Sequence, residues 1–406
     1  MRSFVLVFAL VFAAFCGRVF ADANSDNSNT QSDRFGVVSY TTLGDKNMDY
    51  WFKSPPNTAK IAYVNAVYKG EDFLYVPMAY NVAKNDGDAF KIKCVITISK
   101  CDNSSAKVVF DDYIQGVQQK AGCYIELPVS FTVQMEDSDA FGDYQITLSA
   151  QNYVSRESAQ FVSKFTLKEW QTPKVKIDSL ADFYVGFNQS FSPENLYAAF
   201  FCKDLNFFLK GNWRGFNPFV CSFFKFAYNK HKFLLEKLNE DFDKMSANMR
   251  IRTLALFALC NAKPIAQNRL CRDELFYQSY FRNECDFSFD AYSKNFSVVD
   301  IDLLWGEFFA TGTYKPFRKI LDFLQDEHPI DFARKVAKDA SLIKSKADKE
   351  KALRGLMGIV AQNSIAKNLH NDLVVRYLAY TMQFDGNTQL KSSLKRRFTV
   401  NERPLK

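Results

Sequence analysis

The hydrophobic period of the chain changes at Lys168-Glu169-Trp170-Gln171-Thr172-Pro173, from two residues to about 3.6, and this switch constrains the fold more than any motif does. Before it, residues 58–169 alternate. From Tyr124 to Met135, Ile125, Leu127, Val129, Phe131, Val133 and Met135 share one face, while Glu126, Pro128, Ser130, Thr132 and Gln134 share the other. Side chains two apart on a strand project to the same side, so the run makes one buried and one wet face. The same alternation marks Phe90-Ile92-Cys94-Ile96-Ile98, Tyr144-Ile146-Leu148-Ala150 and Phe161-Phe165-Leu167. Weaker runs lie at 59–68, 73–81 and 106–110, with turn signals at Asn85-Asp86-Gly87-Asp88 and Cys101-Asp102-Asn103-Ser104-Ser105. About seven short strands predict an antiparallel β-sandwich over 46–172.

After Pro173 the chain reads as helices, an all-α domain over 173–400. Ser192-Pro193-Glu194 supplies an N-cap, a first-turn proline and an acid, and predicts a helix to Lys210 that Gly211 stops. Further helices are predicted at 246–262, 265–283, 298–311, 316–326, 330–346, 348–369 and 371–383. Within 298–311, Ile301, Leu304, Trp305, Phe308 and Phe309 form one apolar stripe, and Gly312 is placed to end the helix. Pro316 begins a second helix with Phe317, Ile320, Leu321 and Leu324 at matching spacing, giving an αα-hairpin whose stripe belongs in the core.

Ahead of both domains, Arg2 precedes the apolar run Phe4 to Phe15, and small residues follow. This is the pattern of a secretory signal peptide over 1–21, cleaved after Ala21 or Ala23. Residues 22–45 begin with Asn, Ser and Asp without an apolar period and read as a disordered leader. The expected location is therefore exported: periplasm, cell surface or extracellular. No later run is long and apolar enough to predict a transmembrane segment.

Three resemblances add to this reading. Phe141-Gly142-Asp143-Tyr144-Gln145-Ile146-Thr147-Leu148 resembles the penultimate strand of immunoglobulin-like domains, which implies that the Tyr144 hydroxyl pins a neighbouring loop. The spacing of Ile301, Leu304, Trp305, Phe308, Gly312, Phe317, Leu321, Leu324 and Pro329 resembles one tetratricopeptide hairpin. Trp305, Phe317 and Leu324 stand where that family has small residues, and no second copy occurs at its period, so a repeat array is not implied. Trp305, Phe308, Phe309, Ala310, Thr311 and Gly312, with Asn363 in a later helix, resemble uncharacterised bacterial exported proteins, which bring no activity with them.

Export makes disulfides possible among Cys94, Cys101, Cys123, Cys202, Cys221, Cys260, Cys271 and Cys285. Cys94 shares the face of Ile92, Ile96 and Ile98 and reads as a buried apolar residue, whereas Cys101 and Cys123 lie at strand ends and are expected to pair. The chain has three histidines and no C-x-x-C, nucleotide-binding glycine motif or zinc-protease motif, so neither a metal site nor a cofactor is predicted. His231, His328 and His370 read as surface or capping residues. Asp300, Asp302 and Glu307 are the first carboxylates to consider for acid–base chemistry, against the simpler reading of a solvated helix face and helix-dipole complement. The loop Gly211-Asn212-Trp213-Arg214-Gly215-Phe216-Asn217-Pro218 sets Trp213, Arg214 and Phe216 on a turn-rich connection suited to contact.

Charge gives the last lead. From Asp331 to Lys406, 16 Lys/Arg face 7 Asp/Glu, an excess of nine against +7 for the whole chain. The excess is densest at Lys395, Arg396 and Arg397, where an acidic or anionic envelope surface could be touched; nucleic acid does not suit an exported protein. The reading that follows is an exported, non-catalytic module that binds a protein or envelope-surface partner. The alternatives are a carboxylate hydrolase and a binder of small apolar ligands. N-terminal sequencing of the exported protein should begin at Asp22 or Asn24; exported material that retains Met1 would refute the leader assignment.

Overall fold

A computed structural model of the chain describes residues 34–43, 64–85, 89–102, 105–117, 125–136, 138–190, 192–209, 212–283 and 298–398. The chain divides into two compact units at Thr172–Pro173, a β-rich unit followed by an all-helical region that carries one short hairpin.

The β-rich unit contains β1 (Gly36–Thr42), β2 (Ala66–Tyr68), β3 (Asp72–Tyr80), β4 (Ala89–Lys100), β5 (Ala106–Val117), β6 (Ile125–Glu126), β7 (Phe131–Gln134), β8 (Gly142–Asn152) and β9 (Ser158–Lys168). One sheet runs β2-β9-β8-β4-β5, antiparallel except for the β2/β9 pair. In the other, β3 pairs with β1 and with both β6 and β7, all antiparallel. The alternation explains the core: Ile92, Cys94 and Ile96 of β4 lie beside Ile146, Leu148 and Ala150 of β8. Val37, Phe73, Tyr75 and Val133 from the other sheet join the same apolar cluster. Cys94 is fully buried, and burial pushes its thiol up to about 12. Tyr144 stacks on Phe165 and donates its hydroxyl hydrogen to the Ala140 carbonyl at 2.6 Å, tying the loop before β8 to the strand.

Two details differ from the sequence reading. Gly36–Thr42, assigned above to the leader of 22–45, is strand β1, with Phe35, Val37 and Tyr40 buried. Its polar residues disguised it, and they are satisfied inside: Ser39 Oγ lies 2.8 Å from Ser163 Oγ, and Thr41 Oγ1 accepts from the Val64 amide at 2.9 Å. Gly36 is required there because any Cβ would run into the Tyr80 ring opposite. The predicted strand from Tyr124 to Met135 is also interrupted. Pro128 has no amide hydrogen to extend the ladder, so the chain pairs with β3 twice, as β6 and as β7.

The second unit contains α1 (Leu180–Ser190), α2 (Pro193–Phe200), the hairpin β10 (Phe208–Leu209) and β11 (Asn212–Phe216), α3 (Pro218–Lys230), α4 (Phe233–Asp241), α5 (Ala247–Leu259) and α6 (Arg272–Asn283). It continues with α7 (Val298–Thr311), α8 (Tyr314–Asp322), α9 (Glu327–Val336), α10 (Lys346–Lys367), α11 (Asp372–Phe384) and α12 (Thr388–Arg397). The Ser192 hydroxyl caps α2 as expected, accepting from the Asn195 amide, but the helix ends at Phe200 and not at Lys210. Arg252 of α5 explains the early stop: its guanidinium donates to the carbonyls of Phe200, Cys202 and Leu205 at 2.8, 3.3 and 3.3 Å, which satisfies groups that further helix would have used.

Helices α3 and α7 cross at close range. A Cβ on Gly306 would collide with the Phe219 carbonyl oxygen and come within 2.8 Å of Ser222 Cβ, while Ser222 Oγ donates to the Leu303 carbonyl at 2.7 Å. Helix α7 ends where expected, with Gly312 at φ +65° and its amide donating to the Phe308 carbonyl at 2.7 Å. The aromatic stripe is core: Trp305 stacks on Phe309 with centroids 5.5 Å apart and meets Phe308 and Phe317 edge-on. Trp305→Ala should lower stability by ~3–5 kcal/mol. Trp305→Phe should cost much less, because the buried indole N–H has no hydrogen-bond partner among the described residues. Equal melting curves for wild type and Trp305→Ala would show the stripe to be exposed.

Candidate interaction surface

The outward face of the five-stranded sheet gathers aromatic and cationic side chains. Because Ile92 and Cys94 point inward, Lys91 and Lys93 project to the opposite side of β4, with Gln115 and Tyr113 of β5 as their register partners. Tyr113 is 46% exposed and Tyr153 45%, and their rings meet edge-on at 6.2 Å. Lys91 Nζ sits 4.4 Å from the Tyr113 centroid and 5.1 Å from that of Tyr153. Lys93 Nζ lies 5.1 Å from Tyr113 and pairs with Asp111, whose hydrogen bond is the main cause that raises the lysine's pKa.

The turn after β8 supplies the rest. Asn152 is buried; its Oδ1 accepts from the amides of Val154 and Ser155, and its Nδ2 donates to the Ala83 carbonyl at 3.2 Å. The Tyr153 amide donates to the Lys91 carbonyl at 2.8 Å, which fixes the ring beside β4. Arg156 takes a left-handed φ of +65°, and its guanidinium carbon lies 4.5 Å from the Tyr153 centroid. Three cations, two half-exposed rings and the Asp111 carboxylate thus share one patch held by backbone geometry. Alternation predicts that Lys91, Lys93 and Tyr113 share a face, but Tyr153 and Arg156 arrive through a turn whose path single-strand periodicity does not encode.

The residues singled out from the sequence fare differently. Phe216 is half-buried, its ring 5.3 Å from Phe208 and 5.8 Å from Phe281. The side chains of Trp213 and Arg214 lie outside the described set, although both residues belong to β11. In the basic run, Lys395 and Arg396 are exposed, whereas the Arg397 side chain is only 5% exposed and donates to Glu327 and Gln362. Arg397 therefore anchors α12 and is not a surface contact.

Asp300, Asp302 and Glu307 do not converge. Asp300 and Asp302 are two residues apart and project to opposite sides of α7, and Glu307 lies about 10 Å along the axis from Asp300. Partial desolvation raises the Asp302 carboxyl above its usual range. His231, expected at the surface or as a cap, is the buried C-cap of α3, edge-on to Phe187. His328 lies 3.2 Å from Lys351 Nζ, and His370 Nδ1 2.9 Å from the Lys367 carbonyl. Among the described residues no group of His, Cys, Asp and Glu could hold a metal ion, and no helix is long and apolar enough to cross a membrane.

No family model matches the chain, and no curated protein matches it. Among solved structures, a family 123 glycoside hydrolase from Clostridium perfringens, described in terms of glycolipid glycan hydrolysis, is similar at 9% identity with a TM-score of 0.19. The match covers 34% of this chain and 28% of that one, so the chain spans well under a third of that structure's length.

The cysteines can be tested directly. Cys101 is exposed at the turn after β4, and Cys123 lies outside the described residues. Burial pushes the thiols of Cys94 and Cys260 up to about 12, and Cys221 is buried. Iodoacetamide at mild alkaline pH should label exposed Cys271 in the native chain and leave Cys94, Cys221 and Cys260 protected until unfolding. The Cys101 thiol is free in the structure, and non-reducing peptide maps test the pairing with Cys123 expected from the sequence: a linked peptide would support it and an alkylated Cys101 would remove it.

Proposed function

We propose that the protein is an exported, non-catalytic interaction module whose β-rich unit binds a protein or envelope-surface partner through the Tyr113–Tyr153 patch. The observation that carries this reading is the arrangement of Lys91, Lys93 and Arg156 around two half-exposed tyrosines on a rigid sheet. Tyrosine and arginine are the residues that supply most binding energy in protein interfaces, because each offers a large contact area together with hydrogen-bonding or charged groups. Fixed cations favour a partner with carboxylates or other anions near its contact residues.

An immunoglobulin-like arrangement of the β-rich unit is part of this proposal. It draws support from two sheets that share one apolar cluster and from the Tyr144 hydroxyl bound back to Ala140. The reading of residues 1–21 as a signal peptide supplies the export.

A direct test uses the mature chain and its own envelope fraction. Wild type should co-sediment with that fraction, and Tyr113→Ala combined with Tyr153→Ala should reduce the bound amount by about tenfold with no change in melting temperature. Undiminished binding by the double variant would reject the patch as the contact.

A further inference from the structure

Helix α10 has two faces that cannot exchange. On the inner side a Cβ at Gly355 would run into the Pro329 carbonyl oxygen of α9, and one at Gly358 would lie 2.6 Å from the Ile330 side chain. Glycine within a helix is less favourable than alanine, since it gives up more conformational freedom. Two of them facing α9 mark a backbone approach that fixes the rotation of α10 about its axis. Met357, Ala361 and Ile365 continue that buried side.

The opposite side is then determined. Lys349, Leu353, Leu356, Val360, Asn363 and Lys367 follow one another at alternating intervals of four and three residues, the spacing of a coiled-coil seam. Leu353 and Leu356 are 38% and 44% exposed, Val360 is half-buried, and Lys349, Asn363 and Lys367 are exposed. Rolling the helix to cover the leucines would drive the glycine side out of contact with α9. The stripe is about 27 Å long, apolar in its middle, and has a lysine at each end.

Charge selects the occupant. A second copy of α10 would set a lysine against a lysine at both ends, whether the helices ran parallel or antiparallel. Lys346 adds a further cation at the first end, where Glu350 is the exposed acid and Asp348 is held by the Ser345 hydroxyl and the Lys344 amide. Lys351 is turned toward His328 and Phe332. We propose that this face binds an amphipathic α-helix of another protein, one whose apolar seam is flanked at both ends by Asp or Glu. This site is separate from the sheet patch and does not depend on it.

The probe is a synthetic helix of about 20 residues, with leucines along its seam and glutamates at both ends, tested against the same peptide with lysines in place of the glutamates. The full mature chain should bind the glutamate peptide and bind the lysine peptide at least about tenfold more weakly. Leu353→Ser with Leu356→Ser should abolish binding without moving the melting temperature. Lys349→Glu with Lys367→Glu should invert the peptide preference, a result that loss of folding could not produce. The proposal fails if both peptides bind alike or neither binds. It also fails if the leucine double variant instead loses adsorption to vesicles of phosphatidylcholine and phosphatidylglycerol, or loses self-association in sedimentation, since lipid or a second copy would then be the occupant.

Discussion

The backbone approach of α7 to α3 at Gly306 is the constraint on which the helical region turns. With no side chain at that position, the Leu303 carbonyl comes within reach of the Ser222 hydroxyl, and the two aromatic sets come into contact where Phe219 of α3 meets Phe309 of α7. From there ring contacts continue through Trp305, Phe308 and Phe317 to Tyr377 of α11, whose hydroxyl donates to the Gly312 carbonyl at 2.6 Å. Large rings interdigitate well only when the helices carrying them are held at fixed separation, since close-packed interiors leave few voids. One missing Cβ thereby sets the positions of many phenylalanines.

The same device recurs in α9 and α10, with a different outcome. At Gly306 the close crossing turns an aromatic stripe inward, and at Gly355 and Gly358 it turns an aliphatic stripe outward. Chain composition does not distinguish the two cases, because both helices carry apolar residues on more than one side. What separates them is which side the glycines occupy.

Legibility in the sequence follows the range of the interaction involved. The alternation of β4 and β8, the burial of Cys94 and the end of α7 at Gly312 depend on neighbours within a few residues, and all were visible. Strand β1 was hidden because its Ser39 and Thr41 find partners at Ser163 and Val64, far along the chain. The local pattern predicts α2 to Lys210 because the group that ends it at Phe200, Arg252, belongs to α5. The sheet patch is not legible for the same reason: Tyr153 reaches Lys91 through a turn set by Asn152, and no periodicity records a turn's destination. The basic run predicts Arg397 as a surface contact, but its carboxylate partner, Glu327, is on α9 and far along the chain.

The burial of Cys94 in the middle of β4 carries a consequence for the timing of maturation. Its thiol becomes inert only once β4 lies between β5 and β8 and the facing sheet covers it. An unfolded chain exposed to an oxidant therefore runs a race, with strand pairing on one side and thiol exchange on the other. Strand order helps the first, because β4 and β5 are consecutive along the chain and pair directly, and local hairpins close in microseconds, whereas disulfide formation takes seconds or longer. The residue that looks least reactive in the finished fold is thus the one whose safety depends on how quickly that fold arrives.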